Sequence, residues 1–241
     1  RRDAFSLKYF NVDILRNNYY NFFMEFNIET WLQDFTKKLF DHFSRRIKFV
    51  GLQGSYKRGE AKENSDIDIV IILDRLTFED LMEYKKIVRS MPFHEKVCGF
   101  VSGEREIYNW PKFDLFQLAN DTISLHGNLY DFIPILKRND ILDSVKINTA
   151  NLYHQMCHGY LFEKSNVDVL YQGYKSAFFI LQAVYYVRNT EYIGTKKDLL
   201  TKLDGEDKEI LLVNMNWQSL NIAENSDFYF EKIINWAGRY I

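Results

Sequence analysis

The sequence predicts an α/β (α+β) chain, with a small sheet domain over residues 1–138 followed by an α-helical bundle over residues 139–241. Three observations predict it. Ile67, Ile69, Val70, Ile71, Ile72 and Leu73 form a short, largely β-branched apolar run, the pattern of a strand buried on both faces. Leu32, Phe35, Leu39 and Phe43 recur at helical spacing just before an earlier short strand, so a helix is expected to pack on the sheet. From about residue 141 onward the pattern is helical.

The elements follow in order. Residues 4–28 are aromatic-rich and read as a helical lead-in. A helix is expected over 29–45, a strand over about 46–52 and a second over about 66–73. Thr77 caps a helix whose apolar stripe is Phe78, Leu81, Met82, Val88 and Met91, and Pro92 ends it. Residues 96–102 read as another strand, turning at Gly103. In Trp110–Leu118 the side chains alternate as on a strand, with Phe113, Leu115 and Gln117 on one face and Asp114, Phe116 and Leu118 on the other. Asn120-Asp121-Thr122 and His126-Gly-Asn128 read as turns, and Lys137–Asp140 as a polar connector. Tyr153, Met156, Cys157 and Tyr160 line a first bundle helix. Leu170, Tyr174, Ala177, Phe178, Leu181 and Tyr185 line a second. Thr195 caps a third, and 206–214 and 226–240 complete the bundle.

Composition narrows the function. The 241 residues suffice for one large or two modest domains, and 46% hydrophobic residues can build a core. The 20 Phe and 16 Tyr read as packing, because a net charge of −2 argues against a general nucleic-acid binder. Cys98 and Cys157 form no CxxC pair, which argues against a zinc site and for a reducing, cytoplasmic setting. No stretch approaches the roughly 18 apolar residues of a membrane span. The opening Arg1-Arg-Asp-Ala-Phe has no apolar secretion core, and no Met opens it. His154 and His158 stand four apart on a helix, a spacing that can bind metal, but no carboxylate completes a zinc-type motif and they read as ordinary helical histidines.

The chemistry concentrates in Gly51–Leu73. Asp66 and Asp68 lie two apart at the mouth of an apolar strand and so point the same way. Paired carboxylates there repel, and burial costs each of them. A hard divalent cation such as Mg²⁺ relieves both penalties. About ten residues earlier, Gly54-Ser55 follows a strand and opens a helix, offering amide N–H groups and a hydroxyl suited to a phosphate. Together the two features suggest a magnesium nucleotide held at both ends.

In these residues the chain resembles the nucleotidyltransferase superfamily that includes DNA polymerase β and the antibiotic-modifying nucleotidyltransferases, in its small bacterial branch. Gly54, Ser55, Gly59, Glu60, Ala61, Ser65, Asp66 and Asp68 match its Gly-Ser…Gly-Glu-Ala…Ser-Asp-Ile-Asp pattern. The resemblance implies a small mixed-sheet nucleotidyltransferase domain followed by an α-helical bundle. It implies attack by an acceptor hydroxyl on the α-phosphorus of a nucleoside triphosphate, ATP for preference, with release of pyrophosphate. Asp66 and Asp68 are then expected to be catalytic and to hold two Mg²⁺ ions. Asp114 is expected to complete the metal nearer the acceptor, with Asp121 as its rival. Gly54 and Ser55 are expected to bind the β- and γ-phosphates. Ser65 is expected either to touch phosphate or only to cap its turn. Lys57 or Arg58 reaches a phosphate on one reading and lies on a solvated face on the other. Glu60 faces acceptor or metal, or makes a local contact; Gly59 serves backbone geometry.

The acceptor implied is a small hydroxylated molecule such as an aminoglycoside or lincosamide, which makes antibiotic resistance the first functional reading. Glu163, Asp168, Glu191 and Asp204 are available to an acceptor wall. A regulatory enzyme of toxin–antitoxin type, modifying a protein or RNA, is the second. Helical HEPN partners of such enzymes carry Arg and His five or six residues apart; Arg188-Asn-Thr-Glu-Tyr-Ile has no His. An inactive nucleotide-binding module is the third, opposed by the intact Asp66 and Asp68. A homodimer stays open.

Overall fold

The structure is a computed structural model in which residues 26–241 are described; the lead-in helix expected over 4–28 lies almost wholly outside them. Two compact units divide the described chain. One comprises residues 26–110 with 121–134, the other Pro111–Asn120 with Ile135–Ile241.

The first unit opens with helix α1 (Ile28–Phe43), capped by the Asn27 side chain, which accepts from the Thr30 N–H at 2.9 Å. Strand β1 (Ile47–Gln53) runs into the short helix α2 (Gly54–Arg58), and strand β2 (Ile67–Leu73) follows. Helix α3 (Phe78–Arg89) leads to strand β3 (Val97–Gly103) and helix α4 (Glu104–Tyr108). Helix α5 (Leu115–Asn120) falls in the second unit, and strand β4 (Thr122–His126) returns to the first. The sheet order is β3-β2-β1-β4, with β1 antiparallel to both β2 and β4 and β2 parallel to β3. The mixed sheet is as expected. Strand β4 was not foreseen, because Thr122-Ile-Ser-Leu-His is short and follows what reads as a turn.

Strand β2 explains the stability of this unit. Ile67, Ile69, Ile71 and Leu73 pack with Trp31, Leu32, Phe35 and Leu39 of α1. Val70 and Ile72 are buried too, leaving Asp68 as the one residue of β2 that is not. Each such side chain contributes roughly 1.5–3 kcal/mol on burial. A second fastening ties the turn just before β1 to α3. Asp80, buried in the first turn of α3, accepts from both terminal nitrogens of Arg46 at 2.6 and 2.8 Å and completes a capping box with Thr77. The Arg46 guanidinium holds the Asp80 carboxyl far below the usual carboxylate range.

That contact turns α3 away from the orientation its apolar residues suggest. Phe78, Leu81 and Met82 are exposed, and the packed face carries Tyr84, Ile87 and Val88 around the buried Asp80, with Met91 just beyond the helix.

In the second unit, Lys112–Asp114 forms a 3-10 turn that leads into α5. Residues 112–118 are therefore helical and not the strand their alternation suggests; over so short a run, periods of 2 and 3.6 place Phe113, Leu115, Phe116 and Leu118 almost equally well. Five longer segments follow: α6 (Arg138–Phe162), α7 (Asn166–Asn189), α8 (Lys196–Lys202), α9 (Gly205–Met215) and α10 (Ser226–Gly238). The α7 stripe packs as expected through Leu170, Tyr174, Ala177, Phe178 and Leu181. On α6 the stripe differs. Tyr153 and Tyr160 are exposed, and Ile141, Val145, Thr149, Leu152, Met156 and Gly159 face inward. Asp207 of α9 joins three helices, accepting from Arg188 at 3.0 Å, Trp236 Nε1 at 2.8 Å and the Tyr240 hydroxyl at 2.6 Å. Burial, and then Asp207, push the Tyr240 hydroxyl up to about 12, so it remains a donor at neutral pH.

Candidate active site

The site is built where β1 ends. Gln53 pairs with Asp68 on one side and Thr122 on the other. Gly54 then takes a left-handed conformation (φ 74°) and turns the chain into α2. A Cβ here would collide with the Asp68 carboxylate. Glycine is therefore required twice, once for the backbone and once for space. Gly59 (φ 70°) closes α2 as a Schellman cap, its N–H meeting Tyr56 O at 3.3 Å while the Glu60 N–H meets Ser55 O at 2.9 Å. The corner is rigid at both ends, and Ser55 sits at its first turn.

Asp68 is half-buried at the start of β2, and Asp66 is exposed just before it. The sheet thus brings Gly54 and Asp68 together and leaves Asp66 open beside them. Among the described residues, no group of three or more His, Cys, Asp or Glu is placed to hold a metal. Two hard carboxylates at an open strand end fit Mg²⁺, which retains waters and is commonly shared with substrate phosphates.

The structure places the remaining predicted residues as follows. The Ser65 hydroxyl accepts from the Lys62 N–H at 2.8 Å, and its own N–H returns to Lys62 O at 2.9 Å, so it fastens the turn before β2. Lys57 and Arg58 do not form a solvated face. The Arg58 side chain is 7% exposed and pairs with Glu60 at 3.0 Å and with Asp121; Lys57 Nζ lies 3.6 Å from the other Asp121 oxygen. Glu60 thus makes a local contact. Asp114 ends the 3-10 turn of the second unit and has no place on a strand. His154 and His158 are exposed on α6.

Asp121 is what sequence reasoning undervalued. It is 1% exposed, immediately before β4. Burial pushes its carboxyl up, and Arg58 and Lys57 oppose that rise. The ion pair anchors the last turn of α2 to the foot of β4 and so fixes the Gly54 corner from behind. Its one legible signal was an aspartate directly before a Thr-Ile-Ser-Leu alternation.

Residues 32–146 match the model of the nucleotidyltransferase domain. That stretch, just under half of the chain, carries the nucleotidyltransferase domain. A protein of Methanocaldococcus jannaschii named as a candidate protein adenylyltransferase is 37% identical over 54 residues, 22% of this chain and 51% of that protein. The protein adenylyltransferase MntA of Thermococcus cleftensis is 41% identical over 72 residues, 30% of this chain and 66% of that one. The chain thus spans between half and two thirds of the length of these curated relatives. Among solved structures, a spectinomycin adenyltransferase from Enterococcus faecialis, crystallised with ATP and spectinomycin, covers 88% of this chain and 100% of its own, with a TM-score of 0.58 and 13% identity. That likeness is one of fold. No helix of the described residues is long and apolar enough to cross a membrane.

Proposed function

We propose that this chain transfers a nucleoside monophosphate, AMP from ATP, to an acceptor hydroxyl, with Asp66 and Asp68 holding magnesium. The observation that carries the reading is the Gly54 corner packed against the Asp68 carboxylate, in register across β1 and β2. A phosphate cradle and a carboxylate pair side by side are what a metal-bound triphosphate requires. Asp66 and Asp68 would hold magnesium, which would supply charge neutralisation to the triphosphate. The chain's own residues position it: Gly54 lets the backbone approach, Ser55 offers a hydroxyl and an N–H, and the Arg58–Asp121 pair keeps α2 in place. Positioning and charge complementarity supply most of what such transfers need from a protein. Asp114 is left out of the metal site in this proposal, since its strand context is gone, and Lys57 is drawn to Asp121.

A small hydroxylated acceptor is the first reading, supported by the spectinomycin enzyme, whose fold matches over 88% of this chain. A protein hydroxyl is the second, favoured by two relatives named for protein adenylylation. Incubation with magnesium and α-labelled ATP, against aminocyclitols in one arm and candidate proteins in the other, separates them. Asp68→Asn is expected to abolish label transfer while the fold is retained. Undiminished transfer in that variant refutes the assignment.

A further inference from the structure

His154 and His158 stand one turn apart near the C-terminal end of α6, and both are exposed. Spacing alone allows two such rings to splay apart, but here they lie side by side. Their centroids are 6.2 Å apart, with 53° between the ring planes. One turn further on, the Phe162 ring lies 5.1 Å from that of His158 and supports it from the far side. The inward face of this stretch is carried by Leu152, Met156 and Gly159, so the two imidazoles stand apart from the core.

The other three histidines sit differently. His42 lies 3.9 Å from Glu83, and His94 lies 3.7 Å from Glu95. His126 meets the Phe40 ring edge-on at 4.8 Å. The α6 pair instead offers two imidazoles to one point in solvent. An ion about 2.0–2.1 Å from a nitrogen of each ring sets the centroids roughly 5–6.5 Å apart, so a small rotation of two exposed rings suffices. Imidazole suits zinc, nickel and copper, whereas magnesium prefers oxygen. Two protein ligands leave the remaining coordination positions open, as in an exchangeable site.

We infer that His154 and His158 form a chelating site for one divalent ion of the zinc, nickel and copper class. The site is separate in chemistry from the carboxylates proposed for magnesium and does not depend on nucleotide transfer. An ion held by both rings bridges one helical turn and so staples the end of α6. The second imidazole arrives already tethered to the first, which is the source of the chelate's affinity.

The test titrates zinc into the whole chain without nucleotide and follows the imidazole signals of all five histidines by NMR. One equivalent is expected to shift His154 and His158 together and to leave His42, His94 and His126 in place. A hundredfold excess of magnesium is expected not to displace it. His154→Ala and His158→Ala are each expected to weaken binding about 100-fold, because the chelate is lost. Cys157→Ser is expected to change nothing, which separates the imidazole pair from the neighbouring thiol. At free zinc about 100 times its Kd, exchange of the His158 amide, which closes the turn between the two ligands, is expected to slow about 100-fold. Shifts at only one of the two rings, displacement by magnesium, full affinity in either alanine variant, loss of binding in Cys157→Ser, or unchanged amide exchange overturns the inference.

Discussion

Replacing Gly54 by alanine probes the corner directly. At φ 74° an alanine costs roughly 1–2 kcal/mol in backbone strain. Its Cβ also meets the Asp68 carboxylate, whose displacement from a preferred rotamer adds about 0.5–1.5 kcal/mol. The sum is a loss of about 1.5–3.5 kcal/mol. Gly205 (φ 50°) has nothing within 4 Å of an added Cβ, so Gly205→Ala isolates the backbone part. Native-state hydrogen exchange, read in β2 for one variant and α9 for the other, measures each unit by itself. A cycle with Asp68→Ala is expected to recover about 0.5–1.5 kcal/mol as coupling, because removing the carboxylate removes the collision. Nucleotide transfer in Gly54→Ala is expected to fall roughly 100-fold, the scale of a 1 Å misplacement. Zero coupling, with equal losses at Gly54 and Gly205, refutes the packing of Asp68 on this corner.

Three further outcomes are expected. Arg58→Ala leaves the Asp121 carboxylate buried without its arginine and is expected to cost about 3–5 kcal/mol in urea denaturation; Arg58→Ala with Asp121→Leu is expected to restore most of it. Asp80→Asn is expected to cost about 1.5–3 kcal/mol near neutral pH. Asp80 is depressed in the folded state, so its contribution is complete above its unfolded value near pH 4 and fades as the pH falls below that; the gap between wild type and Asp80→Asn should close in acid denaturation series. Asp207→Ala removes the acceptor shared by Arg188, Trp236 and Tyr240 and is expected to cost roughly 2–4 kcal/mol, seen as faster exchange in α9 and α10.

Much of this fold was legible because β2 is unambiguous: an apolar run that long tolerates only a two-sided strand, and Asp66 and Asp68 interrupt it at one end. Caps were legible for the same local reason, as Thr77 and Thr195 each accept from the N–H three residues on. What escaped depends on distant partners. Asp121 is buried by an arginine 63 positions earlier, and Arg46 buries Asp80 from 34 positions away, rotating Phe78, Leu81 and Met82 outward. Residues 112–118 were misread because an aspartate between apolar neighbours fits two periods.

The central claim is that Asp66 and Asp68 share a metal-bound triphosphate with the Gly54–Ser55 corner. Calorimetric titration of the folded chain with a non-hydrolysable ATP analogue, with magnesium and with chelator, tests it most directly. Binding that requires magnesium, and that disappears in Asp66→Asn/Asp68→Asn while the hydrogen exchange of β2 is unchanged, is the expected result. Equal affinity in chelator, or in the double variant, contradicts it.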